Sequence, residues 1–323
     1  MKKELLITGG AGFIGSHLAK KLISEGHSVT ILDNLTTGNK KNIPSEAAFV
    51  KADLCSKDFL KKIPQRDYDA ILHLAAQSSG EISNEHPEHD LKVNTFGTLQ
   101  LLNWCKDSDI PRFMYASSMA VYGDIVKSPV LESVPCQPLS FYGISKLSSE
   151  QYIQHFSRDG LNTTCFRMFS VYGPGQNLIN MKQGMVSIFL AYLLKGEAIL
   201  VKGSGERFRD FVFIDDVVDA WCSSIDNSHT YGQIYNLASG KKTLVKELVE
   251  KEIQIFGFNP ASYPVKYQGS TPSDQFGLYA DISKIKKDTG WRPKVNLDAG
   301  LNEMFEWAKK SEHRMALFGT PGR

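Results

Sequence analysis

Tyr142 and Lys146 stand four residues apart in Phe141-Tyr142-Gly143-Ile144-Ser145-Lys146. On a helix that spacing points both side chains the same way. An ammonium beside a phenol favours phenolate, so the pair is expected to draw the tyrosine below its unperturbed pKa of about 10. Upstream, an apolar run ends in the small residues Ala116-Ser117-Ser118, as a buried strand does where it meets a site. Ser118 can then hold a substrate hydroxyl against the phenol. The result is a base that takes a proton from an alcohol while another group removes hydride. Tyr-x-x-x-Lys alone is more often two ordinary residues on a helix face, so the decision rests on the elements around it.

Those elements alternate. Glu4-Leu5-Leu6-Ile7 reads as a short buried strand, and the Ser16–Glu25 stretch as a helix. Between them Gly9, Gly12 and Gly15 fit G-x-x-G-x-x-G, a variant of the dinucleotide fingerprint. Its glycines permit a tight turn, close approach of a pyrophosphate, and phosphates at a helix N-terminus. A second strand ends at Asp33, about twenty residues past the loop, where an acid holds the ribose hydroxyls of NAD and repels the extra phosphate of NADP. The competing reading of Asp33 is a solvated strand-end acid. A third strand, Ala48–Leu54, carries Asp53 toward an adenine. A fourth, Ala70–Ala76, ends in small residues that let a nicotinamide ribose approach. His73 lies inside that apolar run and reads as packed rather than catalytic. Asp90–Lys106 reads as a long helix carrying Asn94, and Arg112–Ala116 as a fifth strand delivering Ser117 and Ser118. Strands alternating with helices imply an α/β fold, a Rossmann-type doubly wound parallel sheet with its site at the strand C-termini.

Composition narrows the partners. The 323 residues carry a net charge of +2, with 22% charged and 42% hydrophobic residues. There is no basic block, which argues against nucleic acid and anionic membranes. The apolar run before the first glycines is too short for a signal peptide, and no stretch approaches membrane-spanning length. Five cysteines without C-x-x-C spacing read as reduced thiols of a cytoplasmic protein. Asp215-Asp216 reads as a helix N-terminus rather than a metal site, and no metal is expected.

Taken in order, Thr8–Gly15, Asp33, Asp53-Leu54, His73-Leu74-Ala75-Ala76, Asn94, Ser117-Ser118, Val121-Tyr122-Gly123 and Tyr142 with Lys146 resemble the extended short-chain dehydrogenase/reductases. The nearest branch is the NAD-dependent nucleotide-sugar epimerases and dehydratases, and within it the UDP-glucose 4-epimerase-like enzymes. The resemblance implies a nucleotide-binding domain over 1–168, to which a segment near 210–240 returns. A smaller α/β substrate lobe is implied over 169–310, with a tail over 311–323. NAD contacts are implied at Gly9, Gly12, Phe13, Ile14, Gly15, Asp33, Asn34, Thr37, Gly38, Asp53, Leu54, Leu74, Ala75, Ala76, Gln77, Asn94, Ser117, Tyr142, Lys146 and Phe169. Nucleotide-sugar contacts are implied at Ser118, Met119, Tyr142, Ser170, Val201, Arg209 and Asp274, with Ser118, Tyr142 and Lys146 catalytic. Arg209 matches the arginine that grips the diphosphate, a task suited to a planar guanidinium; its alternative is a salt bridge to Asp210. The chain departs from the pattern twice. Ser170 replaces the asparagine of most members, and Thr271-Pro272-Ser273-Asp274 replaces an Arg-Pro-Gly-Asp motif.

The branch divides on the fate of a 4-keto sugar. Dehydratases carry an Asp-Glu pair after the Ser118 position, and decarboxylating relatives a glutamate in the same turn. Here Met119 and Ala120 stand there. That leaves 4-epimerisation, in which the keto sugar turns over and takes hydride back on its other face. Two alternatives stay open: a 4-dehydrogenase or reductase with net NAD(H) turnover, and a non-catalytic nucleotide-binding module. The family also implies a homodimer, through Asp90–Lys106 and Phe141–Arg158. On these helices Leu91, Val93, Phe96, Leu99, Leu102, Trp104, Ile144, Leu147, Tyr152, Ile153 and Phe156 offer more apolar surface than one sheet face needs.

Overall fold

The computed structural model describes residues 1–56, 58–125, 128–269 and 275–310. Six strands come first: β1 (Glu4–Thr8), β2 (Ser28–Asp33), β3 (Ala48–Lys51), β4 (Ala70–His73), β5 (Arg112–Ser118) and β6 (Asn162–Met168). Short strands β7 (Ser170–Tyr172), β8 (Ile199–Lys202), β9 (Phe208–Arg209) and β10 (Phe211–Phe213) lead outward before β11 (Gln233–Leu237) returns. The parallel sheet has the order β11-β6-β5-β4-β1-β2-β3. Strand order reverses at β1, which lies between β2 and β4, and this opens the crevice that doubly wound sheets use for ligands.

Both faces of the sheet are covered, so its central strands carry apolar runs such as Leu5-Leu6-Ile7 and Ala70-Ile71-Leu72. Leu5 and Ile7 pack with Leu18, Leu22, Ile31 and Leu72 on one side, while Leu6 packs with Leu32, Ile71, Leu101 and Phe113 on the other. That split follows the two-residue period of a strand. The covering helices are α1 (Phe13–Ser24), α2 (Gly80–Glu85), α3 (Pro87–Asp90), α4 (Gly97–Asp107), α5 (Phe141–Arg158) and α7 (Ile214–Ser224), with α6 (Met185–Lys195) lying in the second lobe. The third and fourth strands stop sooner than the sequence suggests, at Lys51 and His73, where pairing with β2 and β1 ends. The long helix expected over Asp90–Lys106 is not uniform either. A π-helical stretch, Leu91–Phe96, separates α3 from α4 and carries Asn94. Such wide turns inside helices recur at functional sites.

The second lobe pairs β7 with β10, β8 with β13 (Val265–Gln268) and β9 with β12 (Thr243–Leu244). Helices α8 (Val245–Ile255), α9 (Ser283–Thr289) and α10 (Leu297–Ala308) complete it. Among the described residues no helix is long and apolar enough to cross a membrane. Asp215 and Asp216 do open α7, but Asp216 also reaches across the chain, accepting the amides of Lys294 at 2.8 Å and Val295 at 3.1 Å.

One acid in this lobe is costly. Glu252 on α8 is 3% exposed, and neither carboxyl oxygen has a hydrogen-bond partner among the described residues. Leu190, Leu301, Met304 and Phe305 surround it. Burial pushes its pKa well above the usual 4.5. The folded chain therefore keeps a proton that the unfolded chain gives up, and stability falls as pH rises from about 4.5 toward the folded pKa. Glu252→Met, similar in volume and apolar, should remove that slope. It should add about 1–3 kcal/mol at pH 8, read from denaturant unfolding at pH 5 and pH 8.

Candidate active site

The glycine turn is built against the end of β4. Gly9 has φ 72°, and a Cβ there would lie 2.7 Å from Ala75 N. A Cβ at Gly15 would overlap Gly9 O. Only glycine allows both, and the result brings β1, β4 and α1 together at the crevice. Gly12 caps α1 without a side-chain hydrogen bond, and its first turn, with Phe13, Ile14 and Gly15, has no acid. A helix N-terminus with no acid beside its first amides suits an anion, which fits the pyrophosphate of a dinucleotide.

Asp33 closes the loop from the other side. It is 7% exposed, not a solvated acid; Oδ2 accepts Ala11 N at 3.0 Å and Oδ1 accepts Leu35 N at 2.8 Å. Gly38 packs on the same carboxylate, where a Cβ would come within 2.8 Å of Oδ1. Thr37 beside it is exposed. Asn34 Nδ2 donates to Asp53 Oδ2 at 2.9 Å, so the ends of β2 and β3 are tied together, with Leu54 buried behind them. These residues fit an adenosine half. His73 is packed as expected: its ring nitrogens face Thr8 Oγ1 at 2.6 Å and Thr98 Oγ1 at 2.9 Å. Burial, with Lys146 nearby, pushes its pKa down to about 3, so the ring is neutral.

The chemistry sits where β5 meets α5. Ser140 caps α5, its Oγ accepting Gly143 N at 3.1 Å, and so aims the first turn at the strand end. Lys146 is 2% exposed, and its Nζ donates to Ala116 O at 2.9 Å. The ammonium lies 4.7 Å from the Tyr115 ring centre and 5.9 Å from that of Tyr142. Burial lowers the lysine to about 8 against the opposing pull of Asp90 and Glu150. Ser118 Oγ accepts Ala120 N at 3.2 Å and lies beside the Tyr142 phenol.

One expectation needs correction. The chain's own groups do not bring Tyr142 toward neutrality. Burial pushes it up to about 12, and the Asp90 charge adds to this against the hydrogen-bonding pull of Ser118. Desolvation of the phenolate outweighs a lysine that is itself desolvated. When bound, NAD supplies a hydride acceptor and a positively charged ring. The Tyr142 phenol, the Ser118 hydroxyl and the Lys146 ammonium converge at this strand end, an arrangement that can take a proton from an alcohol.

Other sequence candidates fall in different places. Ser117 points to the opposite face of β5 from Ser118, as alternate strand residues do, and donates to Glu150 Oε1 at 2.5 Å. Glu150 in turn pairs with Arg167, Nη2 to Oε2 at 2.7 Å, both nearly buried. That ion pair carries no signal in the sequence because its partners sit on separate elements. Asn94 is buried, and its amide holds Gln77: Gln77 N donates to Asn94 Oδ1 at 2.9 Å, and Asn94 Nδ2 to Gln77 O at 2.9 Å. Leu74 and Ala76 flank Ala75 as partly exposed wall residues. Phe169 is buried beside β11, its amide donating to Leu237 O at 3.0 Å.

Among the substrate candidates, Val201 is a correction: it is fully buried, and its side chain serves the core of the second lobe rather than a ligand wall. Ser170 begins β7, beside Asp210, whose carbonyl accepts its amide at 3.0 Å. Arg209 is 6% exposed, with Nη1 on Phe208 O at 2.8 Å and Nη2 on Gln275 O at 2.9 Å. Asp210 is committed elsewhere, accepting the amides of Ser239, Gly240 and Ala280 and the Ser239 hydroxyl. Met119 lies in the short turn after Ser118, and Gln275 Nε2 reaches Gly123 O at 2.5 Å beside it. Nothing in the sequence pattern points to Gln275. Asp274 and Thr271 lie outside the described residues. Among the described residues no group of three or more acids, histidines and cysteines could hold a metal ion.

A Rossmann-type sheet with a glycine turn, an acid at the end of β2, and Ser118, Tyr142 and Lys146 at the end of β5 defines a nucleotide-dependent short-chain dehydrogenase/reductase architecture. The model of the NAD dependent epimerase/dehydratase family matches residues 5–238, and the chain belongs to that family, with NAD as its cofactor. The chain is 38% identical to a putative UDP-glucose 4-epimerase of Methanocaldococcus jannaschii, over 95% of this chain and 99% of that one. It is 31% identical to UDP-glucuronic acid decarboxylase 1 of Xenopus tropicalis, over 97% of this chain and 74% of the relative. Its fold is similar to that of a Thermotoga maritima UDP-glucose 4-epimerase solved with UDP-glucose. The TM-score there is 0.91, with 35% identity, over 96% of this chain and 99% of that one.

Tyr142→Phe should leave the fold and NAD binding intact while lowering turnover by about a hundredfold or more, the usual loss when a well-placed general base is removed. Steady-state rates beside a cofactor-binding titration check both halves of that expectation.

Proposed function

We propose that this chain is an NAD-dependent nucleotide-sugar 4-epimerase acting on a UDP-hexose or a related nucleotide hexose through a transient 4-keto sugar. The observation that carries this reading is the turn after Ser118. Met119–Val121 stands against the Ser118 hydroxyl and has no ionisable side chain. The turn itself therefore offers a 4-keto sugar no acid–base pair for loss of water and no carboxylate for decarboxylation. Tyr142 takes the proton of the 4-hydroxyl as hydride leaves C4. Rotation of the keto sugar presents its other face, and Tyr142 returns the proton as hydride comes back. Atoms and electrons balance within one sugar, so the cofactor is used catalytically. Relatives named as UDP-glucose 4-epimerases support the reading.

The test monitors reduced nicotinamide absorbance while NMR identifies the product from UDP-glucose and other nucleotide hexoses. Sugar inverted at C4 without stoichiometric NADH is the expected result. Equimolar NADH with released ketone would make it a 4-dehydrogenase, the outcome that Ser170 in place of asparagine would favour through a weaker hold on the sugar nucleotide. Carbon dioxide from UDP-glucuronic acid would replace the epimerase reading with a decarboxylase.

We also infer a homodimer formed by α5 and the helical segment from Leu91 through α4. Leu91, Phe96, Phe141, Ile144 and Tyr152 are 40–56% exposed on these elements. Leu102 and Ile153, counted from sequence with that surface, are fully buried and belong to the core of the single chain. The remaining face is large enough in apolar side chains to be covered by its own copy. Light scattering at micromolar concentration should give twice the chain mass of 36.0 kDa; a monomer would refute the dimer.

A further inference from the structure

One buried acid near the Tyr142–Lys146 pair has no part in the reaction as written. Asp90, the last residue of α3, is 1% exposed. Its Oδ1 accepts Gln77 Nε2 at 2.8 Å and Asn94 Nδ2 at 3.1 Å. Its Oδ2 is buried with no hydrogen-bond partner among the described residues. The same Asn94 Nδ2 lies 3.1 Å from Ser145 Oγ, and Ser145 donates to Tyr142 O at 3.0 Å. Two hydrogen-bonded steps therefore join the carboxyl to the turn of α5 that lies between Tyr142 and Lys146. The lysine has donors to spare. An ammonium carries three N–H groups, and among the described residues one acceptor, Ala116 O, is in place. A buried carboxyl and a buried ammonium thus flank the same helix turn.

We propose that Asp90 is the counter-charge of the Tyr142–Lys146 pair, a positioning residue that sets how readily Tyr142 gives up its proton. Its bearing on catalysis rests on the reaction proposed above, but its effect on Tyr142 does not. Burial raises the proton affinity of Asp90 itself, while hydrogen bonds from Ser145 and Gln77 and the Lys146 charge lower it; in its charged form, shielded from water, it acts strongly on both neighbours. It raises the proton affinity of Lys146 against burial, and raises that of Tyr142 as well.

The other charges around these groups differ in kind. Glu150 and Cys165 also act on Lys146, and Glu150 is tied to Arg167. His73 is neutral and hydrogen-bonded on both nitrogens, and Tyr115 lies under the ammonium. His89 is next to Asp90 in the chain. On α2, Glu81 and Glu85 are turned outward to Lys182 and Lys202. Asp90 is thus the one acid among these whose charge bears on both members of the pair.

The test is Asp90→Asn, nearly isosteric and without the charge. Proteins carrying Cζ-labelled tyrosine, with NAD bound, are titrated by NMR, and Tyr142 is assigned by the signal lost in Tyr142→Phe. The Tyr142 midpoint should fall by about half a pH unit or more relative to the unmutated chain. The acid limb of the pH–rate profile should move down with it. An unchanged midpoint in a folded Asp90→Asn protein overturns the proposal, since Asp90 would then be neutral or only structural. Should that variant not fold, Asp90→Ser, smaller and also uncharged, is titrated in its place with the same two outcomes. If the unmutated protein turns over no nucleotide sugar, the functional reading fails while the titration still decides the role of Asp90.

Discussion

Lys146 keeps an ammonium almost out of water, and much of the structure exists to make that tolerable. A charge so placed costs several kcal/mol unless it is paired and hydrogen-bonded. The backbone carbonyl of Ala116, the ring of Tyr115, and the carboxylates of Glu150 and Asp90 share that work. They come from three different elements: β5, α5 and α3. Strand order, helix caps and the wide turn at Leu91–Phe96 therefore matter to the site because together they set where one nitrogen stands.

The same constraint explains what can be read from residue order and what cannot. The strand–turn–helix around Gly9 to Gly15 is legible because glycine, the apolar run of Leu5, Leu6 and Ile7, and an acid at Asp33 are all local signals. Tyr142 and Lys146 are legible as neighbours for the same reason, being one helix turn apart. Their proton affinities are not, because desolvation depends on everything packed around them, and for Tyr142 it reverses the expected direction. Glu150 with Arg167, and Gln275 over the Met119 turn, join residues far apart in the chain with no periodic pattern between them. Asp90 lies between these cases. It stands four residues before Asn94, as Tyr142 stands before Lys146, so their contact is local, whereas its nearness to the catalytic pair depends on how α3 packs against α5.

The second lobe meets the first both through side-chain pairs, such as Lys182 with Glu81 and Glu85, and through backbone groups at the catalytic turn. Arg209 holds the carbonyls of Phe208, Gln275 and Phe276, and Gln275 passes its own amide to Gly123 at the end of the catalytic turn. Carbonyls and amides report the path of the chain rather than its composition, so this contact leaves little trace in residue types. It places a guanidinium from β9 and the turn after Ser118 on two sides of one short segment.

The position of β11 has a consequence for how the molecule is made. β6 pairs on one side with β5 and on the other with β11, which comes only after β7 to β10 and α6 and α7 have been synthesised. Until Gln233–Leu237 emerges, Asn162–Met168 is an open edge with unpaired amides and carbonyls, the kind of surface that recruits strands from other chains. Closing it requires a long loop to be ordered first, which slows the step. The growing chain thus carries an exposed strand edge, and with it a risk of aggregation, in the interval between β6 and β11, when the crevice is already outlined but the sheet is not yet sealed.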